Sequence, residues 1–197
     1  MIRAPIYFVR HGETAWNAEG RLQGQRDTPL NPTGVAQAAE AGRRLRDLLG
    51  PRAGSLPFVA SPMERTRRTM EGLRAALALD PAAYATDARL KEIGFGAWEG
   101  LTWREVRRSD PARASARDRD RWHYRPPGEG AESYAMVADR VRPLLEALDG
   151  PVVMVAHGGV ARAVMVTLGM ASTAEAPQME IFQGRILVLE AAGRRWA

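Results

Sequence analysis

Two of the three histidines share a local setting, an apolar run followed by histidine and glycine, in YFVRHG (Tyr7 to Gly12) and VMVAHGG (Val153 to Gly159). Packing alone does not call for that arrangement. At the carboxyl end of a strand in an open parallel sheet, side chains line the crevice where ligands bind. Gly158 and Gly159 would let an anion approach the backbone N–H groups at the start of a following helix. Arg10 and Arg65 each follow an expected strand, and Arg65 lies in the first turn of an expected helix, whose side chains lean toward its N-terminus. A guanidinium presents forked donors that match phosphate oxygens. With a positive helix end they would form a cradle for a phosphoryl group in transit. A neutral imidazole beside it, with a reference pKa of about 6.5, keeps a lone pair able to attack phosphorus.

The remaining candidates are less specific. His123, in WHYRPPG, has no such company and reads as a surface or lid residue. Glu92 and Glu99 fall in one block, LKEIGFGAWEG, and residue type alone does not say which carboxylate would move a proton. With no cysteine, disulfides, thiolate nucleophiles and Cys-based metal sites are excluded, which fits a reducing cytoplasm. Histidines and carboxylates show no familiar ligand spacing, so no metal is expected. The formal charge of +5 raises nucleic acid as a partner, yet Lys91 is the only lysine and the arginines alternate with acids, as on solvated helix faces. No basic-aromatic binding module is present, so no nucleic-acid partner is expected. No apolar stretch reaches membrane-spanning length, and Met1 to Pro5 lack the pattern of a secretory leader.

Something must hold these groups together, and 197 residues with 45% hydrophobic content suffice for one sizeable core, read as a single domain over residues 1–197. Short apolar runs alternate with amphipathic patterns, the signature of a three-layer α/β/α sandwich with a mostly parallel central sheet and helices on both faces. Strands are expected at 5–10, 57–60, 151–156 and 184–190, with weaker candidates at 83–87 and 177–182. One helix should start with Asn31 as cap and Pro32 at its first position, bury Val35, Ala38, Ala39, Gly42, Leu45 and Leu49, and end near Gly50. A second should begin at Ser61, where Ser61 to Glu64 reads as a capping box, and bury Met63, Thr66, Met70, Leu73 and Leu77. A third spans 132–148, with Pro143 kinking it or breaking a backbone bond, and a fourth follows His157. The polar stretch 109–133, with its prolines and glycines, reads as a loop or lid, and Trp98, Trp103, Trp122 and Tyr124 are candidate pocket walls or packing residues.

Taken together, RHGET (Arg10 to Thr14), GRLQG (Gly20 to Gly24), DTPLNPTG (Asp27 to Gly34), SPMERTRRT (Ser61 to Thr69), LKEIGFGAWEG (Leu90 to Gly100), YRPPGEGAES (Tyr124 to Ser133) and AHGG (Ala156 to Gly159) resemble the histidine phosphatase superfamily, also called phosphoglycerate mutase-like. The resemblance covers nearly the whole chain. It implies His11 as the phosphorylated nucleophile, Arg10, Arg65 and His157 as a phosphate clamp with Asn17 as a further contact, and Glu92 as the proton donor. It also places Gln23 and Gly24 along the substrate pocket, makes Glu99 a structural carboxylate, and implies no metal and no cofactor. One departure is visible: PPGEGAES (Pro126 to Ser133) is longer than the usual block, which puts the loop shape in question. The implied activity is hydrolysis of a small phosphorylated metabolite. Phosphoglycerate mutases in the resembled group carry an insertion after the glutamate block, absent here, and a non-catalytic phosphate-binding module would have lost one of the groups just named.

Overall fold

The structure, a computed structural model, describes residues 4–197; Met1 to Arg3, where part of the leader argument falls, lie outside the described residues. Six strands form one sheet: β1 (Ile6–Arg10), β2 (Phe58–Ala60), β3 (Ala85–Thr86), β4 (Val152–Ala156), β5 (Ile186–Glu190) and β6 (Gly193–Trp196), in the order β3-β2-β4-β1-β5-β6. The first four run parallel to one another, and β5 and β6 close one edge antiparallel. Between them lie α1 (Ala15–Ala18), α2 (Pro32–Leu49), α3 (Glu64–Ala76), α4 (Trp103–Ser109), α5 (Pro111–Arg119), α6 (Tyr134–Glu146) and α7 (Gly158–Thr167). No helix among the described residues is long and apolar enough to cross a membrane.

Strand alternation sorts the core into two layers. Ile6 and Phe8 of β1, with Val152, Met154 and Ala156 of β4, face Val137 and Val141 of α6 and Val160 and Val164 of α7. Their neighbours Val9, Val153 and Val155 face the other way, onto Ala41 and Leu45 of α2 and Met70 and Leu73 of α3. Because β1 and β4 are buried on both faces, their sequences read as unbroken apolar runs. The register pairs Arg10 with Ala156, so the residues that follow, His11 and His157, leave the sheet side by side.

Several expectations are corrected. The first part of the 109–133 stretch is not a loop, while residues 120–133 are irregular as expected. Asp110 accepts from the Arg113 N–H and caps α5, with Pro111 in its first turn, so polar sequence with a single buried residue, Ala114, is helical up to Arg119. No strand forms at 177–182. The carbonyls of Met179 and Ile181 are taken instead by the guanidiniums of Arg162 and Arg10. Strand β6 has no counterpart among the expected strands; its pattern is mostly exposed. Val35 is 59% exposed rather than buried, because Gly34 is the residue of α2 that approaches the backbone of Glu13, where a Cβ would lie 2.1 Å from the Glu13 carbonyl oxygen. The Ser61 capping box is absent. Helix α3 begins at Glu64, whose N–H donates to the Asp27 carboxylate at 2.8 Å, and Ser61 is free for another partner. Pro143 lies within α6 on its exposed side, where Asp139, the residue whose carbonyl loses its partner, is also exposed.

Candidate active site

His11 and His157 sit just past β1 and β4, with ring centroids 5.1 Å apart and almost no solvent exposure, 2% and 0%. Nδ1 of His11 donates to the Gly12 carbonyl at 2.7 Å, which assigns the proton to Nδ1 and leaves the lone pair on Nε2. Nε of Arg65 points at that lone pair from 3.3 Å. Burial, then the charges of Arg65 and Arg10, hold the His11 pKa well below its ordinary value, against the smaller pull of the Gly12 bond. Burial and the Arg65, His11, Arg10 and Arg140 groups do the same to His157. Both rings are therefore neutral at physiological pH, as attack through nitrogen requires.

His157 Nε2 meets the Ser61 hydroxyl at 2.9 Å. When the Ser61 hydroxyl gives its proton to Nε2, the imidazole proton sits on Nδ1. That buried Nδ1 and the buried Nε of Arg10 have no hydrogen-bond partner among the described residues. A buried donor without an acceptor costs roughly 1–3 kcal/mol, and an anion placed between these two would remove that cost. The N-terminus of α7 adds its N–H groups and positive dipole end. Burial lowers the Arg10 pKa to about 10, still cationic at neutral pH.

Arg65, 0% exposed, donates Nη1 to the Arg26 carbonyl at 2.7 Å and Nη2 to the Gly24 carbonyl at 2.8 Å, which ties the cation to the loop carrying Gln23 and Gly24. Gly24 has a φ of +54°, and a Cβ there would fall 1.9 Å from Oε1 of Glu99. Glu99 accepts from the Gln25 and Phe95 N–H groups at 2.9 and 3.1 Å, so it braces that loop rather than facing the imidazoles. Asn17 Oδ1 is occupied by Thr14 N–H and Gln183 Nε2, which leaves its amide hydrogens toward the cleft. Glu92 accepts from the Ile93 N–H at 2.9 Å and from the Gly159 N–H at 3.2 Å, which brings its carboxylate to the first turn of α7.

All nine expected site residues, Arg10, His11, Asn17, Gln23, Gly24, Arg65, Glu92, His157 and Gly158, converge at this end of the sheet. All but the fully enclosed His157 line one cleft of about 210 Å³. His123 lies outside it, exposed and hydrogen-bonded to Asp120. Of the aromatic candidates Trp103 lines the cleft, while Trp98 stacks on Tyr124 and Trp122 on Tyr134 as packing. The extended loop Pro126 to Ser133 lies against the glutamate block, Ala97 N–H donating to the Pro127 carbonyl at 2.8 Å. Sequence reasoning misses Ser61 as a histidine partner, Gln183, and the cleft arginines Arg21, Arg117 and Arg162. Spacing from Gly158 to Arg162, four residues and about one helical turn, is the one signal available for the last.

A family model for the histidine phosphatase superfamily (branch 1) matches residues 6–197. The chain belongs to the histidine phosphatase superfamily. It is 34% identical over 178 residues to a metal-independent phosphoserine phosphatase of Arabidopsis thaliana, an alignment covering 86% of this chain and 70% of that protein. The solved mycobacterial glucosyl-3-phosphoglycerate phosphatase, in complex with VO3, superposes with a TM-score of 0.79 at 31% identity, covering 98% of this chain and 96% of the other. A crystal structure of a phosphoglycerate mutase from Thermus thermophilus is 36% identical, with a TM-score of 0.72 and coverage of 96% and 95%.

Proposed function

We propose that the chain is a metal-independent hydrolase of small phosphomonoesters that works through a phosphohistidine on His11. The observation that carries this reading is the buried, neutral His11 at the cleft wall, its Nε2 lone pair facing Arg65 Nε and its ring beside Arg10 Nε and His157 Nδ1, which have no hydrogen-bond partner among the described residues. In the first half-reaction Nε2 bonds to phosphorus as the ester oxygen leaves, Glu92 protonating that oxygen. In the second, water attacks phosphorus, the P–N bond breaks, Glu92 regains a proton from the water and inorganic phosphate departs. Arg10, Arg65, Asn17, His157 and the Gly158 N–H stabilise the equatorial oxygens throughout, and Gln23 and Gly24 flank the leaving group.

Phosphoryl transfer back to a second oxygen, the mutase reaction, requires water to be kept from the phosphohistidine. Between Glu92 and α4 this chain makes only a short 3-10 turn, Gly96–Trp98, without the inserted segment that the resembled mutases carry there. With 3-phosphoglycerate, inorganic phosphate is the expected product; 2-phosphoglycerate formed at a higher rate than phosphate would overturn the hydrolase reading. We further place the enzyme in the cytoplasm as one domain acting on a small substrate, without nucleic-acid or membrane partners. A cysteine-free composition and acid-interleaved arginines support that assignment.

A further inference from the structure

Glu92 is carried by a stretch without regular structure, between the 3-10 turns Ala88–Leu90 and Gly96–Trp98. No helix or strand ladder fixes its backbone, so the polar groups of that backbone must find partners elsewhere. Arg140 of α6 supplies three of them. Its Nη2 donates to the Lys91 carbonyl at 2.7 Å and to the Glu92 carbonyl at 3.2 Å, and its Nη1 donates to the Arg89 carbonyl. Nε and Nη2 of the same fork reach Oε1 and Oε2 of Glu132 at 2.8 and 3.0 Å.

Glu132 holds the other side of the stretch. Its Oε2 accepts from the Gly94 N–H at 3.1 Å, and its own N–H donates to the Gly94 carbonyl at 2.9 Å. Gln25, next to Gly24, gives Nε2 to Glu132 Oε2 at 3.2 Å and to the Glu92 carbonyl at 3.1 Å, which ties the pocket loop to the same pair. The backbone is thus held before and after Glu92, while the Glu92 carboxylate receives the Ile93 and Gly159 N–H groups. Neither Arg140 nor Glu132 lines the cleft, so the pair can reach the reaction only through the residues it holds. A planar fork serves several carbonyls at once where a lysine would offer a single point charge. Accuracy matters here, since a displacement of about 1 Å at a reacting group can cost about a hundredfold in rate.

Resting on the hydrolase reading above, we propose that Arg140 and Glu132 form a positioning pair for Glu92, fixing the backbone on either side of it so that its carboxylate stands where the leaving oxygen must be protonated. The test is single-turnover phosphorylation of His11 by 3-phosphoglycerate, an alkyl ester, and by p-nitrophenyl phosphate, an aryl ester that needs little acid. Arg140→Met, which keeps the apolar stem and removes the fork, should lower the alkyl-to-aryl rate ratio about ten- to hundredfold. Arg140→Lys should recover part of that loss, and Glu132→Gln, which leaves the fork on its carbonyls, should lower the ratio less. Because the ratio is internal to each enzyme, partial loss of folded protein does not move it, and if Arg140→Met does not fold the other two variants give the same reading. Added to Glu92→Gln, Arg140→Met should leave the ratio where Glu92→Gln alone puts it, since the acid being positioned is already gone. Equal slowing of both esters in the Arg140 and Glu132 variants, or a further fall in the ratio on top of Glu92→Gln, would overturn the positioning role and leave hydrolysis standing. Failure of both esters to phosphorylate His11 in wild type would overturn the hydrolase reading and the pair's role with it.

Discussion

Arg65 reaches His11 through Nε, 3.3 Å from Nε2, while its other two nitrogens hold the Arg26 and Gly24 carbonyls. One buried side chain thus sets the field at His11 and the position of the loop beside it. Lysine would return a charge but neither the planar fork nor both carbonyl bonds. Arg65→Ala should cost about a hundred- to thousandfold in kcat, the range seen on loss of one preorganised donor, and Arg65→Lys less but still severely. Turnover of Arg65→Lys at the wild-type rate would show that the bidentate geometry is irrelevant.

Rapid acid quench during turnover should trap phosphate on His11 in an acid-labile, base-stable form, because its Nε2, at the cleft wall, carries a lone pair and no proton. Labelled substrate followed by peptide mapping locates it. His11→Ala retaining normal turnover would remove the nucleophile assignment.

Both buried histidines also make a statement about stability. Above about pH 6.5 they are neutral in the native and unfolded chains alike and add no pH dependence. Below that, the unfolded chain takes up protons that burial, Arg65 and Arg10 deny to the native rings, so stability falls as pH drops, by up to about 1.4 kcal/mol per pH unit for each. Urea unfolding between about pH 7 and pH 5 should show this slope, and His11→Asn should shrink it by about one proton's worth. An unchanged slope in the variant would mean that His11 titrates normally.

Gly159 admits Glu92 to the first turn of α7. A Cβ there would lie 2.4 Å from Glu92 Oε1 and 2.7 Å from Ile93 Cγ2, so Gly159→Ala must displace the carboxylate or its loop. The variant should stay folded by circular dichroism yet lose most activity on alkyl phosphates. Full activity would show that the carboxylate position is not critical.

What the sequence discloses follows from where side-chain patterning carries information. Strands β1 and β4 are apolar on both faces, and their His-Gly ends mark the sheet's functional edge, so the histidine pair is legible without coordinates. Helix α5 buries only Ala114 and shows no apolar stripe, which hides both the helix and Arg117. Ser61 looks like a cap because Ser-x-x-Glu fits one; the cap role goes to Asp27, distant in sequence, and the hydroxyl goes to His157. Long-range polar pairings of this kind leave no periodicity to read.

The sharpest test falls on Glu92, which the geometry sets at the start of α7 with both oxygens aimed by backbone N–H groups. An alkyl phosphate expels an alkoxide, a very poor leaving group, unless an acid protonates the bridging oxygen as the bond breaks. An aryl oxide needs far less help. Glu92→Gln keeps the shape of the side chain but cannot give up a proton, so phosphorylation of His11 by alkyl esters should slow by roughly a hundred- to ten-thousandfold and by nitrophenyl phosphate much less. In the proposed second half-reaction the same group takes the proton of the attacking water, so the variant should accumulate phosphohistidine with the aryl ester. A displaced structural residue would depress both esters alike, as would collapse of the Gly159 contact. Single-turnover kinetics on the two ester types, wild type beside Glu92→Gln, separates the cases, and an equal fractional loss for both leaving groups would mean that Glu92 only shapes the cleft.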